Sequence, residues 1–384
     1  MAGSNDGQLE VETLTNEFWT GRQRAGNSLH EISYRACFKS QLVSFFVERL
    51  TKPGDLVYDP FMGRGTTLIE CALLGRVVAG CDVNPLSSVL AKPRLQPPTL
   101  VEVQNRLNKL DLTHESDCRE DLTVFYHPET LRQICALRAY LRRRRLNGRL
   151  DHIDEWIEMV AVNRLTGHSG GFFSVYTLPP NQAVSIESQK KINLRRCQSP
   201  TQRDVVGLIM KKSKSLLRDC DERVRQELSR YAARARLLAQ ESKWTPEIDS
   251  DSVSLVVTSP PFLNVVNYAS DNWLRCWFCG IDPDGVPITI AKTLDAWKSA
   301  MTEVFKELHR VLIPGGHVAF EVGEVRGGRI KLEESVVGCG SSVGLEPMAV
   351  IINSQTFTKT SNCWGVRNND KGTNTNRIVV FRKP

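Results

Sequence analysis

Asp55-Leu56-Val57-Tyr58-Asp59-Pro60-Phe61-Met62-Gly63-Arg64-Gly65-Thr66-Thr67-Leu68-Ile69-Glu70 decides the fold. An apolar run ends at Asp59-Pro60, a short turn carries glycines at 63 and 65, and an apolar segment starts at Thr66. The order is strand, tight turn, helix. Glycine at these positions permits positive φ and removes side chains where a ligand approaches the backbone; Thr66 and Thr67 bring hydroxyls to the helix start. A phosphate-binding P-loop is disfavoured, because no lysine follows the second glycine and the glycines stand too close together. One βα unit further on, Val77-Val78-Ala79-Gly80-Cys81-Asp82-Val83-Asn84-Pro85 is an apolar strand with an acid at its tip. An acid there is placed to accept hydrogen bonds from two ribose hydroxyls. Turn and acid in this order point to an adenosine-containing cofactor.

Outward from this stretch, apolar runs alternate with helical segments over residues 28 to 113. Residues 114 to 232 change texture, becoming rich in Arg and Lys and helical in period, with a Gly-Gly and Pro-Pro interruption at 170 to 181. Alternation resumes from 236 with the apolar run Leu255 to Val257, a helical 295 to 311, the turn Ile313-Pro314-Gly315-Gly316 and a strand from His317 to Val322. The reading is one α/β sheet, interrupted once: 1–113 holds the cofactor half, 114–232 a basic helical insertion, and 233–384 the second half. A chain of 384 residues with 41% hydrophobic and 24% charged residues has ample material for such a core plus a smaller module.

The net charge of +7 favours a polyanionic partner. Eleven cysteines lack a repeated Cys-x-x-Cys spacing, so reduced, mostly buried thiols are expected and no zinc site. The seven histidines show no ligand spacing, and no metal is expected. Without a signal-like start or a run of about 18 apolar residues, the expected location is the cytoplasm, with no membrane partner.

The second informative stretch is Ser254-Leu255-Val256-Val257-Thr258-Ser259-Pro260-Pro261-Phe262. An apolar strand runs into a hydroxyl, two prolines and an aromatic. The prolines fix φ and lack N–H groups, which keeps the segment stiff. Rigid carbonyls and a hydroxyl then face a site at the strand end.

These two stretches resemble the motifs of the amino-methyltransferase family of DNA modification enzymes. Asp59 to Thr67 is similar to that family's cofactor motif, and Thr258-Ser259-Pro260-Pro261-Phe262 to its catalytic motif. Phe38-Lys39-Ser40-Gln41-Leu42 resembles the segment covering the methionine end of the cofactor, Leu312 to Gly316 the turn after the following helix, and Asn374 to Phe381 the closing strand. The resemblance implies a Rossmann-like class I methyltransferase fold, mainly parallel with a C-terminal antiparallel strand, and S-adenosyl-L-methionine as cofactor. Its implied contacts are Phe38, Lys39, Asp59, Pro60, Phe61, Gly63, Gly65, Thr66, Thr67, Asp82, Asn84, Pro85 and Thr258. Two departures stand out. Arg236 to Ser242 offers only Gln240, Glu241 or Ser242 where the family often has an acid, and the catalytic motif follows the cofactor motif by about 190 residues, the reverse of many relatives.

The implied chemistry is direct methylation of an exocyclic base amine. That nitrogen is a poor nucleophile, and hydrogen bonds from it to the Ser259 hydroxyl and Pro260 carbonyl favour a pyramidal geometry for in-line attack. Phe262 would stack on a base flipped out of double-stranded DNA. Ser at the first catalytic position is associated with cytosine-N4, which is the expected target; adenine-N6, an RNA amine and a catalytically silent binding module are the alternatives. No Pro-Cys dipeptide occurs, which disfavours attack on the cytosine ring. Target recognition is expected in the insertion. Arg142, Arg143, Arg144 and Arg145 lie in a stretch without acids, and Arg164, His168, Lys190 and Arg195 sit in segments mixing cations with glycines and amides. His30, Tyr34, Tyr268 and Asn272 are further candidates beside the site. A restriction endonuclease cutting the same sequence would be a further partner.

Overall fold

The computed structural model describes residues 11–19, 26–35, 37–113, 118–178, 183–261, 268–282, 285–286, 291, 293–323, 331–354 and 375–384. Eight strands form one sheet: β1 (Thr13–Asn16), β2 (Leu56–Asp59), β3 (Val77–Cys81), β4 (Arg236–Leu238), β5 (Val253–Thr258), β6 (Leu312–Val322), β7 (Glu346–Ser354) and β8 (Thr375–Arg382). Their order is β1-β7-β8-β6-β5-β2-β3-β4. All neighbours are parallel except β8, which runs antiparallel to both β6 and β7. The expected mainly parallel sheet with an antiparallel C-terminal strand is therefore what forms.

Strand order reverses between β2 and β5, so the loops leaving their carboxyl ends diverge and leave a crevice. The side-chain period of two assigns each strand residue to one of two cores. Val57, Leu255, Val257 and Ala319 join the core on one face, and Tyr58, Val256, Val318 and Phe320 the core on the other. The sequence turn at 313–316 is a bulge within β6: pairing with β5 jumps from Leu312 to His317, and Gly315 takes φ 77° while its N–H donates to the Lys383 carbonyl.

Helices α1 (Ser40–Leu50), α2 (Thr66–Leu73) and α3 (Leu86–Leu95) cover the first face. The stretch between β3 and β4 adds α4 (Leu100–Leu107), α5 (Pro128–Leu146), α6 (His152–Val162), α7 (Ile186–Arg195), α8 (Val205–Leu216) and α9 (Glu222–Ala232). After β5 come α10 (Tyr268–Cys279), then α11 (Leu294–Val311) and α12 (Leu332–Ser341), the last two on the opposite face. The inserted helices share the sheet's own core: Phe125, Trp156 and Ile157 belong to the same buried cluster as Leu68, Val78 and Leu255. Among its deep polar groups, the Trp156 indole N–H donates to Ser213 Oγ at 3.0 Å, while the buried Tyr126 hydroxyl finds no hydrogen-bond partner among the described residues.

The cysteines depart from the expected reduced state at one place. Cys118 and Cys135 form a disulfide with Cα atoms 5.9 Å apart, because the start of α5 brings Cys135 against the segment holding Cys118; the other described cysteines are free thiols. Among the described residues no helix is long and apolar enough to cross a membrane.

Candidate cofactor and catalytic site

A cavity of about 510 Å³ opens at the carboxyl ends of the strands, where their order reverses. Each loop that leaves a strand there contributes to its wall: Asp59 to Gly63, Arg64 and Thr66 after β2; Asp82, Val83 and Asn84 after β3; Gln240 to Lys243 after β4; Ser259 and Pro261 after β5. Tyr34, Cys37 and Phe38, and Trp297 on α11, complete the lining. The two sequence stretches separated by the insertion thus face one space.

The two glycines of the turn do different work. Gly63 (φ 47°) lines the cavity, and a Cβ there would rest in ordinary contact with the Tyr34 ring at 3.6 Å. Gly65 (φ 77°) stands behind it, where a Cβ would sit 2.7 Å from that of Ala91 on α3. Its absence of a side chain serves helix packing. Gly63 and Asn84 each donate a backbone N–H, at 2.9 Å, to opposite oxygens of Asp82. Asp82 therefore fixes both loops while lining the cavity. Burial raises its pKa, offset in part by these bonds.

Asp59 joins the cofactor strand to the catalytic strand. Its Oδ1 accepts from Thr258 Oγ1 at 2.6 Å and from the Phe61 N–H at 3.0 Å. Burial pushes its pKa up to about 6, with the hydrogen bonds from Thr258, Phe61 and Thr67 opposing. Thr258, read as a cofactor contact, is wholly buried and turned to Asp59 instead. Thr67 is likewise buried and donates to the Val257 carbonyl at 3.1 Å. These two threonines and Asp59 set the register of β2 against β5. Lys39, Gly65 and Pro85 also stand outside the cavity wall.

On the catalytic side, Ser259 lines the cavity and its hydroxyl is hydrogen-bonded to Glu321, at the end of β6. Glu321 is buried, which raises its pKa, and it also accepts from Asn376 Nδ2 on β8 at 2.8 Å. The Pro261 carbonyl accepts from the Trp297 indole N–H at 3.2 Å, which fixes the proline segment to α11. Pro260 is buried. Phe262 and the Tyr268 side chain lie outside the described residues. Asn272 is buried and accepts from Arg275, whose own guanidinium reaches the Ser33 carbonyl at 3.1 Å. His30 is buried against Glu70 at 2.7 Å, away from the cavity wall.

Sequence reasoning missed Glu321, Asn376 and Trp297. The visible signal for the first was an acid in an otherwise apolar strand, His317-Val318-Ala319-Phe320-Glu321-Val322.

The basic residues of the insertion separate into distinct environments. Arg144 pairs with Asp154 and Asp151, and Arg145 with Glu158, whose side chain is 2% exposed. Arg164 is mostly buried, 4.1 Å over the Phe172 ring, and burial holds its pKa down at about 10. His168 is half-buried. Arg142, Arg143, Lys190 and Arg195 are exposed. The insertion also grips the segment that leads to the cavity: Asn163 accepts from the Ser33 N–H at 2.9 Å, Lys212 donates to the Glu31 carbonyl at 2.5 Å, and the Ala183 N–H reaches the Asp271 carbonyl at 2.9 Å.

Residues 6–91 match the family model described as DNA methylase. Among curated relatives, the type II methyltransferase M.MjaII of Methanocaldococcus jannaschii is 41% identical over 63 residues, covering 16% of this chain and 12% of its own. M.BsoBI of Geobacillus stearothermophilus is 22% identical over 305 residues, covering 71% of this chain and 57% of its own. M.MvaI of Kocuria varians is 36% identical over 97 residues, covering 24% of this chain and 20% of its own. The matched regions thus span less than two-thirds of each relative's length. With a cofactor-type turn and a Ser-Pro-Pro segment facing one cavity, and with the DNA methylase match falling on the first of these, the likeness to type II methyltransferases supports the S-adenosylmethionine-dependent DNA amino-methyltransferase family.

Proposed function

We propose that this protein transfers a methyl group from S-adenosyl-L-methionine to the N4 amine of a cytosine flipped out of double-stranded DNA. The observation that carries the proposal is the meeting of Ser259 with Gly63 and Asp82 on the wall of one cavity. The residues present fit such a cofactor: a glycine-lined cradle, a carboxylate at the tip of β3, and polar side chains at 240–243. Asp82 would hold the ribose hydroxyls, and Gln240 to Ser242 would face the adenine ring. When bound, the cofactor supplies an electrophilic methyl group.

This chain's own residues would then prepare the base. Ser259, its hydroxyl hydrogen-bonded to Glu321, keeps oxygen lone pairs available for an N–H of the target amine. An ionised Glu321 strengthens that acceptor, since a charge-assisted bond draws the hydroxyl proton towards the carboxylate. The Pro260 carbonyl is the second acceptor, and Pro261, tied to Trp297, keeps the segment from relaxing. Phe262 would stack on the flipped base.

We further assign target recognition to residues 114–232, with Arg142, Arg143, Lys190 and Arg195 as phosphate contacts, because their cationic ends are exposed. Arg144, Arg164 and His168, more enclosed, and Arg145, paired to Glu158, would act by shaping that surface. An endonuclease of matching specificity and a cytoplasmic location complete the reading. The test is incubation with labelled S-adenosylmethionine and duplex DNA, with RNA in parallel, followed by digestion to nucleosides and mass identification. N4-methylcytosine in DNA is expected; N6-methyladenine would overturn the base assignment, and label in RNA alone the substrate class.

A further inference from the structure

We propose that Arg164 and Lys212 form a phosphate subsite that holds the DNA backbone beside the flipped nucleotide. The inference rests on the DNA reading above and goes beyond it. To the exposed cations of α5 and α7 it adds a half-buried contact next to the cavity, and to the shaping role of Arg164 a direct one.

Arg164 follows α6 and Lys212 lies on α8, and both regions close on residues 31–33, which lead to Tyr34 on the cavity wall. Lys212 Nζ donates to the Glu31 carbonyl at 2.5 Å, and Asn163, next to Arg164, accepts from the Ser33 N–H at 2.9 Å. Three residues of extended chain span at most about 11 Å, so Glu31 stands no further than that from Tyr34. A flipped nucleotide turns about its own backbone, and its flanking phosphates therefore stay at the mouth while the base enters. The guanidinium of Arg164 is fixed in direction: Nε donates to the Asn163 carbonyl at 2.9 Å, Nη1 to the Gly171 carbonyl at 3.3 Å, and its carbon lies 4.1 Å over the Phe172 ring. Among the described residues Nη2 makes no hydrogen bond, and Lys212 has one acceptor for three donors.

Among the described residues, neither cation is paired with a carboxylate. The carboxylate of Glu31 is engaged by Arg218 at 3.1 Å and Ser215 at 3.3 Å. The acceptors that Arg164 and Lys212 do have are neutral carbonyls, which orient the cations without neutralising them. Burial, and after it the charge of Arg164, holds the pKa of Lys212 down at about 8; burial holds that of Arg164 at about 10. Two like charges in a partly dry place, with donors left over, are relieved by an anion. A phosphodiester supplies one negative charge and two free oxygens, one for each donor group. The rim of the site is bare: a Cβ on Gly171 would meet nothing nearer than Ser169 Oγ, at 3.6 Å, so a bulky strand can approach.

The experiment is fluorescence anisotropy over a range of salt, with a duplex containing the site the enzyme methylates, for wild type, Lys212→Gln, Lys212→Arg and Arg164→Gln. Two further duplexes carry a neutral methylphosphonate at one or the other phosphate flanking the target base. Expected for each Gln variant is a loss of about tenfold in affinity and a salt slope shallower by about 1, with Lys212→Arg keeping the slope. One of the two methylphosphonates should cost wild type about as much, and cost Lys212→Gln no more than about twofold further. S-adenosylhomocysteine affinity should stay within about twofold throughout. Fully additive losses with both methylphosphonates would place the cations away from those phosphates and overturn the subsite. Joint loss of DNA and S-adenosylhomocysteine binding, in Lys212→Arg as well, would make the pair a brace for residues 31–33 and overturn it too. Failure of the wild type to bind duplex DNA would instead overturn the DNA reading itself.

Discussion

Replacing Asp59 with Asn should stabilise the fold above about pH 6 and leave it nearly unchanged near pH 4. The side chain is wholly buried, and its pKa stands at about 6 against an ordinary 3.8. Between those values the folded state keeps a proton that the unfolded chain has released. Stability is therefore full below 3.8, falls as pH rises through the interval, and is flat above about 6. Each pH unit of that interval is worth about 1.4 kcal/mol, so ionisation of Asp59 costs the fold about 3 kcal/mol, as an upper figure. Asn retains the geometry. Both Thr258 Oγ1 and the Phe61 N–H donate to the same oxygen, Oδ1, so an amide with its oxygen in that place keeps both bonds and turns its NH₂ towards Thr67.

Other groups are shifted too: Asp82 and Glu321 are raised by burial, which acts in the same direction, and His30, His309 and His317 are lowered by burial, which acts oppositely. The difference between variant and wild type isolates Asp59. The assay is urea unfolding followed by tryptophan fluorescence at half-unit steps from pH 4 to 8. The stability difference should grow from near zero to about 3 kcal/mol in favour of Asn. A difference that stays flat, or that shrinks as pH rises, would refute the argument from burial.

Ser259→Ala should lower the single-turnover methylation rate by about a hundredfold while S-adenosylhomocysteine affinity stays within about threefold, because the hydroxyl acts on the amine; loss of affinity at an unchanged rate would reverse that assignment. Asp82→Ala should weaken S-adenosylhomocysteine binding by about tenfold or more, measured by calorimetry, since it releases the Gly63 and Asn84 loops along with any ribose contact. Arg145→Ala should cost about 3 kcal/mol in urea unfolding by leaving buried Glu158 without its partner. The double variant of Lys190 and Arg195 to Ala should instead leave unfolding unchanged and reduce the salt slope of DNA binding by about 2.

The halves of the site were legible because each carries its chemistry in a short run. The Asp55–Glu70 turn and the Ser259-Pro260-Pro261 segment announce themselves through glycine, proline and the abrupt end of an apolar strand. Glu321 was not legible in the same way. A single acid in an apolar strand becomes informative only when β6 lies beside β5 and brings it to the Ser259 hydroxyl. The arginines of α5 show the limit of a local reading. Arg142 to Arg145 are free of acids within their own stretch, yet α6 packs against them and brings Asp154 and Glu158 to Arg144 and Arg145.

By itself, the sequence determined the alternation of strands and helices and the residues of the two motifs, because each depends on periodicity or backbone restriction within about a dozen neighbours; the antiparallel closing strand came from the family resemblance. Tertiary structure alone decided which of those residues face the cavity. Thr258 and Asp82 both end apolar strands, but Thr258 turns to Asp59 and Asp82 opens onto the crevice. It also decided that the inserted helices share one core with the sheet and that the thiols of Cys118 and Cys135 meet. Such outcomes depend on which distant segments become neighbours, and that is fixed by burial and pairing across the whole chain rather than by local preference.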